Sequence, residues 1–368
     1  MKRVAITQPY VPEYRVALWE AVIDSLAEAG VEARVFWGGP RKAVEEYRRR
    51  GDLRDPAWAT RVRTTAVPLT RRHPPMMLRH LPPAWRRPDL LLTEMQVTNG
   101  NAWVAALRRR PYVTFGHGKS GTTTDTWLAN TLEGWLNRHA RHVLTYDERG
   151  RAFVAEHARI AADRITSISN TTDTRTLQVA LRAVTDHDSA RFRSRHGIAP
   201  DAKVALYIGA LEPYKRIDLL VEAARIVLRE DPSWHLVVAG EGPERDRLER
   251  LRTESDRVTM LGRVPPSGYA PAALAARLIV NPGRVGLVAV DAMAMALPVV
   301  TTTTGPHAPE MEYLQLGRDV FTASPTPEAV ARAWLAVADR PRPMQQRAVL
   351  SIDESARTLV GAILQCLA

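Results

Sequence analysis

Short apolar runs alternate with stretches of helical periodicity along the whole chain. In the first half the runs are Val4–Thr7, Ala33–Trp37, Val62–Pro68, Leu90–Glu94, Val113–Phe115, Val143–Tyr146 and Ile165–Ile168, each of strand length. Between them, 15–29, 101–109, 125–139 and 148–157 carry apolar residues at three- and four-residue spacing, which predicts helices. A second series follows at Val204–Ile208, Leu236–Ala239, Val258–Leu261, Leu278–Val280, Val299–Thr301 and Val320–Thr322. Strands that alternate with helices predict parallel sheets wrapped by helices, an α/β class. The stretch 174–202 between the two series is polar with mixed charge, and its helical part is ambiguous by periodicity. The domain boundary is expected near Asn170–Thr174. This divides the chain into 1–173 and 174–349, with a last apolar helix at 350–368 whose spacing suits packing back onto the first domain.

Two stretches of the second series are built to meet an anion. The run Leu278-Ile279-Val280 ends at Asn281-Pro282-Gly283, a Gly286-Leu287 turn follows, and a helix opens with Asp291 near its start. Strand, glycine turn and helix N-terminus together present backbone N–H groups and a positive dipole end. At 207–223, YIGALEPYKRIDLLVEA, another strand ends in a glycine turn, with Lys215 and Arg216 ahead of a helix.

Length and composition fit that picture. At 368 residues the chain suits two domains of ordinary size, and 45% hydrophobic with 25% charged residues is a globular balance. No run approaches the roughly 20 apolar residues that span a bilayer. MKRVAITQPY reads as a first strand and lacks a signal peptide's apolar core. With Cys366 as the lone cysteine, no internal disulfide is possible and a cytoplasmic setting is expected. The formal net charge of +11 is uneven: residues 47–87 hold eleven arginines against Asp52 and Asp55, interleaved with Trp58, Met76, Met77, Leu78, Leu81 and Trp85. That mixture reads either as a solvated arginine-rich loop or as a contact for an anionic membrane surface, peripheral at the inner face, or for an acidic acceptor. Nucleic acid is the least favoured partner, because no recognition module accompanies the patch.

The motifs resemble those of the retaining glycosyltransferases of family 4 (glycosyl transferases group 1), which have the GT-B fold. The matching segments run in order over about half the chain: GALEPYKRIDLLVEAA at 209–224, HLVVAGEGPERDRLE at 235–249, VTMLGRVP at 258–265, VGLVAVDAMAMALPVVTT at 285–302 and GPHAPEMEYLQLGRDV at 305–320. The resemblance implies two Rossmann-like domains facing a central cleft. It further implies transfer of a sugar from a nucleotide-diphosphate sugar to a glycosyl acceptor, with no metal or other cofactor expected. Retaining members of the family are thought to react by front-face attack, in which the leaving phosphate takes the acceptor proton.

The resemblance also implies roles, residue by residue. Lys215 matches the lysine that stabilises charge on the leaving phosphate, where a fixed cation favours the transition state. The family's companion arginine, five residues earlier, is here Ala210, so Arg216 or Arg284 is expected to replace it. Arg263, in the VTMLGRVP segment, joins the expected donor-binding set. The family's signature has two acids with seven residues between them. Asp291 takes the second position, expected to hold the ribose hydroxyls. The first is Gly283, which leaves sugar recognition to the Gly286 and Leu287 amides or to another side chain. Glu310 matches the proline-glutamate of the closing loop. His117 follows a strand at the position expected to face donor sugar and acceptor. Lys119, two residues on, is a weaker candidate for phosphate or acceptor. Gly283 and Ala210 also admit the alternative of a catalytically silent relative that acts as a binding partner. An oxidoreductase is disfavoured, because no G-x-G-x-x-G follows the first strand.

Overall fold

The computed structural model describes residues 1–49, 51–68, 74–118, 127–305, 307–338 and 351–368. The chain divides into two compact units, Met1–Asn170 with Ile352–Ala368, and Thr171–Ser351. Each is built on a parallel sheet covered by helices, a Rossmann-like α/β architecture.

The first unit carries seven strands in the order Ile165–Ser167, His142–Thr145, Tyr112–Gly116, Leu90–Glu94, Lys2–Gln8, Val31–Trp37 and Ala59–Arg61, all parallel. The order reverses between Lys2–Gln8 and Leu90–Glu94. Such a reversal leaves a crevice beyond the carboxyl ends of the two strands, the usual ligand position in an open α/β sheet. Helix Val16–Glu28 buries Leu18, Trp19, Val22 and Leu26 in the same core as Leu359 and Ile363 of helix Ile352–Leu367. Main-chain acceptors fix that last helix in place: the Lys2 ammonium donates to the Leu367 carbonyl and the Arg141 guanidinium to that of Cys366. Cys366 itself is buried with a free thiol.

The second unit has six parallel strands in the order Val258–Gly262, Trp234–Ala239, Lys203–Ile208, Ala276–Val280, Val299–Thr302 and Val320–Ala323. This is the doubly wound order, with its reversal between Lys203–Ile208 and Ala276–Val280. Both anion-suited stretches found in the sequence therefore leave the sheet at one switch point. On one face of this sheet Trp234 and Trp334 are fully buried edge to face, ring centroids 5.6 Å apart.

One expectation is revised, and two stretches left open by the sequence take a definite form. Val62–Pro68 is not a strand of the parallel series: Ala59–Arg61 takes the sheet edge, and Thr64–Val67 pairs antiparallel with Met76–Arg79 in a separate ribbon. Thr65, Ala66 and Val67 are exposed, which a strand covered on both faces cannot be. The ambiguous stretch after the boundary forms two helices, Thr174–Ala183 and Asp186–Arg195; the second opens on a capping box between Thr185 and Asp188. Three apolar members of the arginine-rich segment face inward, while Met76, Met77 and Leu78 are half-buried. Trp85 is 8% exposed, and Trp58 and Leu81 pack against the core. Arg50, Arg71 and Arg72 of that segment, and Lys119, lie outside the described residues. Among the described residues no helix is long and apolar enough to cross a membrane.

The Trp234–Trp334 pair gives a test of the core. Trp334→Ala removes a fully buried indole and its edge-to-face partner, and should cost about 3–5 kcal/mol in urea unfolding. Leu107→Ala, at a side chain 72% exposed, should stay within about 0.5 kcal/mol of the parent. Equal effects would contradict this packing.

Candidate active site

In the second unit the site is assembled by two loops that leave adjacent strands. After strand Lys203–Ile208 the chain makes a turn at Pro213–Lys215, and after strand Ala276–Val280 it passes through Asn281, Pro282 and Gly283. The loops interlock through their main chains. The Arg284 N–H donates to the Tyr214 carbonyl at 3.0 Å, and the Lys215 ammonium donates to the Arg284 carbonyl at 2.6 Å. A Cβ on Gly283 would fall on the Lys215 Cα, carbonyl carbon and oxygen, so only glycine permits this approach. The departure from the acidic signature thus has a steric meaning: the place where that side chain would begin is filled by the backbone carrying Lys215.

The interlock brings two predicted cations together. Burial, and then the neighbouring Arg284 guanidinium, pull Lys215 down to about 8, with Glu310 opposing. Glu310 is 3% exposed and reaches the glycine turn, its Oε2 4.0 Å from where a Cβ on Gly286 would stand. The Gly286 and Leu287 N–H groups donate to nothing among the described residues, although the carbonyls of both accept within the first helical turn. They open helix Val288–Met295 as free donors at its positive end. His307 secures the turn from behind: its Nδ1 accepts from the Val285 N–H at 3.2 Å, and its Nε2 donates to the Thr302 carbonyl at 2.9 Å.

Asp291 lies in the first turn of that helix. Burial pushes its carboxyl up to about 6, against the opposing hydrogen bond from Thr172. The Thr172 hydroxyl donates to Oδ1 at 3.0 Å, leaving Oδ2 for a further donor. Two predicted residues are not brought to this cluster. Arg216 occupies a left-handed position at φ 52° and turns its guanidinium onto Asp218, at 3.0 Å along the exposed start of the next helix. That pairing explains why it does not supply the missing cation. Arg263 is exposed beyond the edge strand Val258–Gly262, two strand spacings or roughly 10 Å from the strand leading to Lys215.

In the first unit His117 follows strand Tyr112–Gly116, at the carboxyl edge. Its backbone is set by two glycines back to back: Gly118 at φ +79° meets the Gly150 main chain, and a Cβ on Gly150 would strike the His117 carbonyl. The imidazole meets the Tyr146 ring edge to face at 4.6 Å. The Tyr146 face in turn carries the Arg15 guanidinium at 4.7 Å from its centroid. Arg15 is 4% exposed; Nη2 donates to Asn170 Oδ1 at 3.4 Å, while Nη1 is buried with no acceptor among the described residues. Glu94, at the end of the switch-point strand, is pushed by burial up to about 6, with Arg79 and Arg15 opposing.

Arg15 was not singled out in the sequence, although a signal was present. It stands on the spacing 15, 18, 22, 26 that marks the buried face of helix Val16–Glu28. A charged residue in register with an apolar stripe is either paired or functional. Thr172 was missed as well, because nothing local links it to a residue 119 positions away. Among the described residues no three His, Cys, Asp or Glu side chains are placed to share a metal ion.

Comparison with known proteins bears on the fold and on the family of each half. The chain is 28% identical over 189 residues to the alpha-D-kanosaminyltransferase of Streptomyces kanamyceticus, an overlap of 49% of this chain and 48% of that protein. The match thus spans about half the length of that curated relative. The crystal structure of Anabaena HepE in complex with UDP shares the fold at a TM-score of 0.62 and 19% identity, over 98% of this chain and 95% of that one. The UDP-GlcNAc 2-epimerase of Neisseria meningitidis, bound to UDP-GlcNAc, does so at 0.64 and 14%, over 99% and 100%. Residues 18–171 match the family described as glycosyl transferase 4-like domain, and residues 202–340 match glycosyl transferases group 1. In chain order, the first match falls on the first sheet and the second match on the second.

Proposed function

We propose that the protein is a retaining glycosyltransferase of family 4 that uses a nucleotide-diphosphate sugar, with uridine as the favoured base. The observation that carries this reading is the Lys215–Arg284 interlock at the switch point, beside two free N–H donors. A diphosphate brings two negative charges, and cleavage of the anomeric C–O bond adds charge to the leaving β-phosphate oxygen. Lys215, Arg284 and the Gly286 and Leu287 amides supply fixed positive charge where it develops, so the reaction needs no bound metal. Asp291 accepts from the ribose hydroxyls through Oδ2. The acceptor oxygen forms the new anomeric bond from the face that the phosphate leaves, and its proton passes to that phosphate. In the first unit, His117, Glu94 and Arg15 hold hydroxyls of the acceptor. A nucleotide-sugar donor and the single reduced cysteine suit a cytoplasmic setting.

Turnover across a panel of nucleotide sugars, with the anomeric configuration of the product read by NMR, tests the reading. Lys215→Ala should lower turnover at least hundredfold, about 2.7 kcal/mol, with the fold intact. Nucleotide binding without transfer in the parent protein would instead make it a silent binding partner, and a product epimerised on the donor would make it an epimerase.

The two shifted groups set the pH dependence. Asp291 works ionised and is pushed up to about 6, so kcat/KM should fall as pH drops through that value. Lys215 works protonated and is pulled down to about 8, so kcat/KM should fall again as pH rises through it. Asp291→Asn should flatten the acid limb, and Lys215→Arg should move the basic limb beyond the measurable range. A basic limb unchanged in Lys215→Arg would remove Lys215 from that role.

Gly283→Glu restores the acid of the family signature, yet it should destabilise the protein by about 1–3 kcal/mol or more and lower turnover, because the new Cβ meets the Lys215 backbone. Gly286→Ala, whose Cβ would stand 3.5 Å from that of Ala308, should be tolerated by the fold. A stable and more active Gly283→Glu would contradict the steric account.

A further inference from the structure

A hollow of about 450 Å³ opens in the first unit, lined by Arg86, Arg87, Arg108 and Arg110 around Leu91 and Val104. It lies at the amino ends of strands Leu90–Glu94 and Tyr112–Gly116, whereas Glu94 and His117 stand at their carboxyl ends. From Pro111, on the hollow, to His117 is six residues of extended chain, roughly 20 Å. Arg79 also borders the hollow, but its guanidinium donates to the Gly38 carbonyl at 2.8 Å and its charge acts on Glu94.

No carboxylate lines this hollow, and none of the four guanidiniums makes an ion pair among the described residues. The nearest acid in sequence, Asp89, is engaged elsewhere: its Oδ2 accepts from the Arg3 N–H at 2.7 Å. The backbone that carries the arginines is anchored. Trp85 sits in the core, 5.2 Å from the Phe36 ring and edge to face with it. The Arg110 guanidinium donates to the Arg86 carbonyl at 2.8 Å and ties the two lining segments together. The negative end of helix Gly100–Leu107 accounts for a cation at Arg108. It does not account for Arg86 and Arg87, which come from a separate segment. Four like charges around one concave surface focus a positive potential into it. The volume is that of a small-molecule site, and guanidinium forks suit the paired oxygens of phosphate.

We infer that this hollow is a second anion site, taking a phosphate or diphosphate ester at the end of the sheet remote from His117. The ester is either a soluble metabolite or the headgroup of an anionic lipid, since both present the same oxygens. The inference does not rest on the transfer reaction, and its test avoids the donor site.

Hydrogen–deuterium exchange is measured on the whole chain, alone, with inorganic pyrophosphate, and with phosphatidylcholine vesicles with or without phosphatidic acid. Pyrophosphate or the acidic vesicles should slow exchange at 84–91 and 104–112. Arg87→Glu with Arg108→Glu should weaken that protection at least tenfold, while Arg87→Lys with Arg108→Lys keeps the charge, loses the forks and falls between. Protection by pyrophosphate alone assigns a soluble ligand; protection by phosphatidic acid vesicles alone assigns a lipid headgroup. No protection at these segments by either probe, or protection that survives the double reversal, overturns the proposal. If the reversal unfolds the chain, the single Arg87→Ala, at an exposed residue, decides in its place. Pyrophosphate protection around Lys215 belongs to the donor site and counts neither way.

Discussion

The meeting of two loops at the switch point of the second sheet is the constraint on which the candidate site depends. Parallel strands Lys203–Ile208 and Ala276–Val280 are neighbours, and their connections depart to opposite faces. Each loop therefore leaves unpaired backbone at the crevice. Here the two satisfy one another: the Arg284 N–H bonds the Tyr214 carbonyl, and the Lys215 ammonium bonds the Arg284 carbonyl. The geometry holds because residue 283 has no side chain. It fixes a lysine and an arginine within mutual influence, adds to the depression of the lysine, and is followed by the Gly286 and Leu287 N–H groups, which meet no acceptor among the described residues. A site that already carries this electrostatic cost is poised for an anion, whose arrival removes it.

The first unit obtains comparable order by different means. Its crevice loop lacks glycine, and residues 11–12 and 53–54 pin it with a short antiparallel pair. His117 is set by the contact of Gly118 with Gly150, and Tyr146 links it to a buried arginine. Burying a guanidinium is costly, and an N–H without an acceptor adds about 1–3 kcal/mol. The aromatic faces and Asn170 offset part of that cost. The remainder is a cost that the fold carries at this crevice, where the proposed function puts the acceptor.

The same sheet gathers several arginines near the amino ends of two of its strands. Arginines scattered through the sequence between 86 and 110 converge there because strand Leu90–Glu94 and helix Gly100–Leu107 carry the chain up and back, returning it to the level at which it started. Their apolar neighbours Trp85 and Leu81 turn into the core. At the end of that segment the pattern is sorted in three dimensions: Trp85 and Leu81 pack inward, and Arg86 and Arg87 line a hollow.

Local pattern by itself determined the class of fold, the strands of both sheets except the edge near residue 60, the placing of Lys215, Arg284 and His117 on loops beyond strand ends and that of Asp291 at the start of a helix. These features depend on hydrophobic periodicity and glycine spacing, which act over a few residues and can be read from them. Tertiary structure alone decided which candidates work together. Arg216 and Arg284 are both arginines on loops beyond strand ends, yet one pairs with its own helix and the other meets Lys215 across 69 positions. Thr172 reaches Asp291 across 119 positions, and Arg15 becomes a buried cation because a helix stripe rotates it inward. Contacts of that kind depend on where distant strands lie in a sheet, and no local pattern encodes strand order.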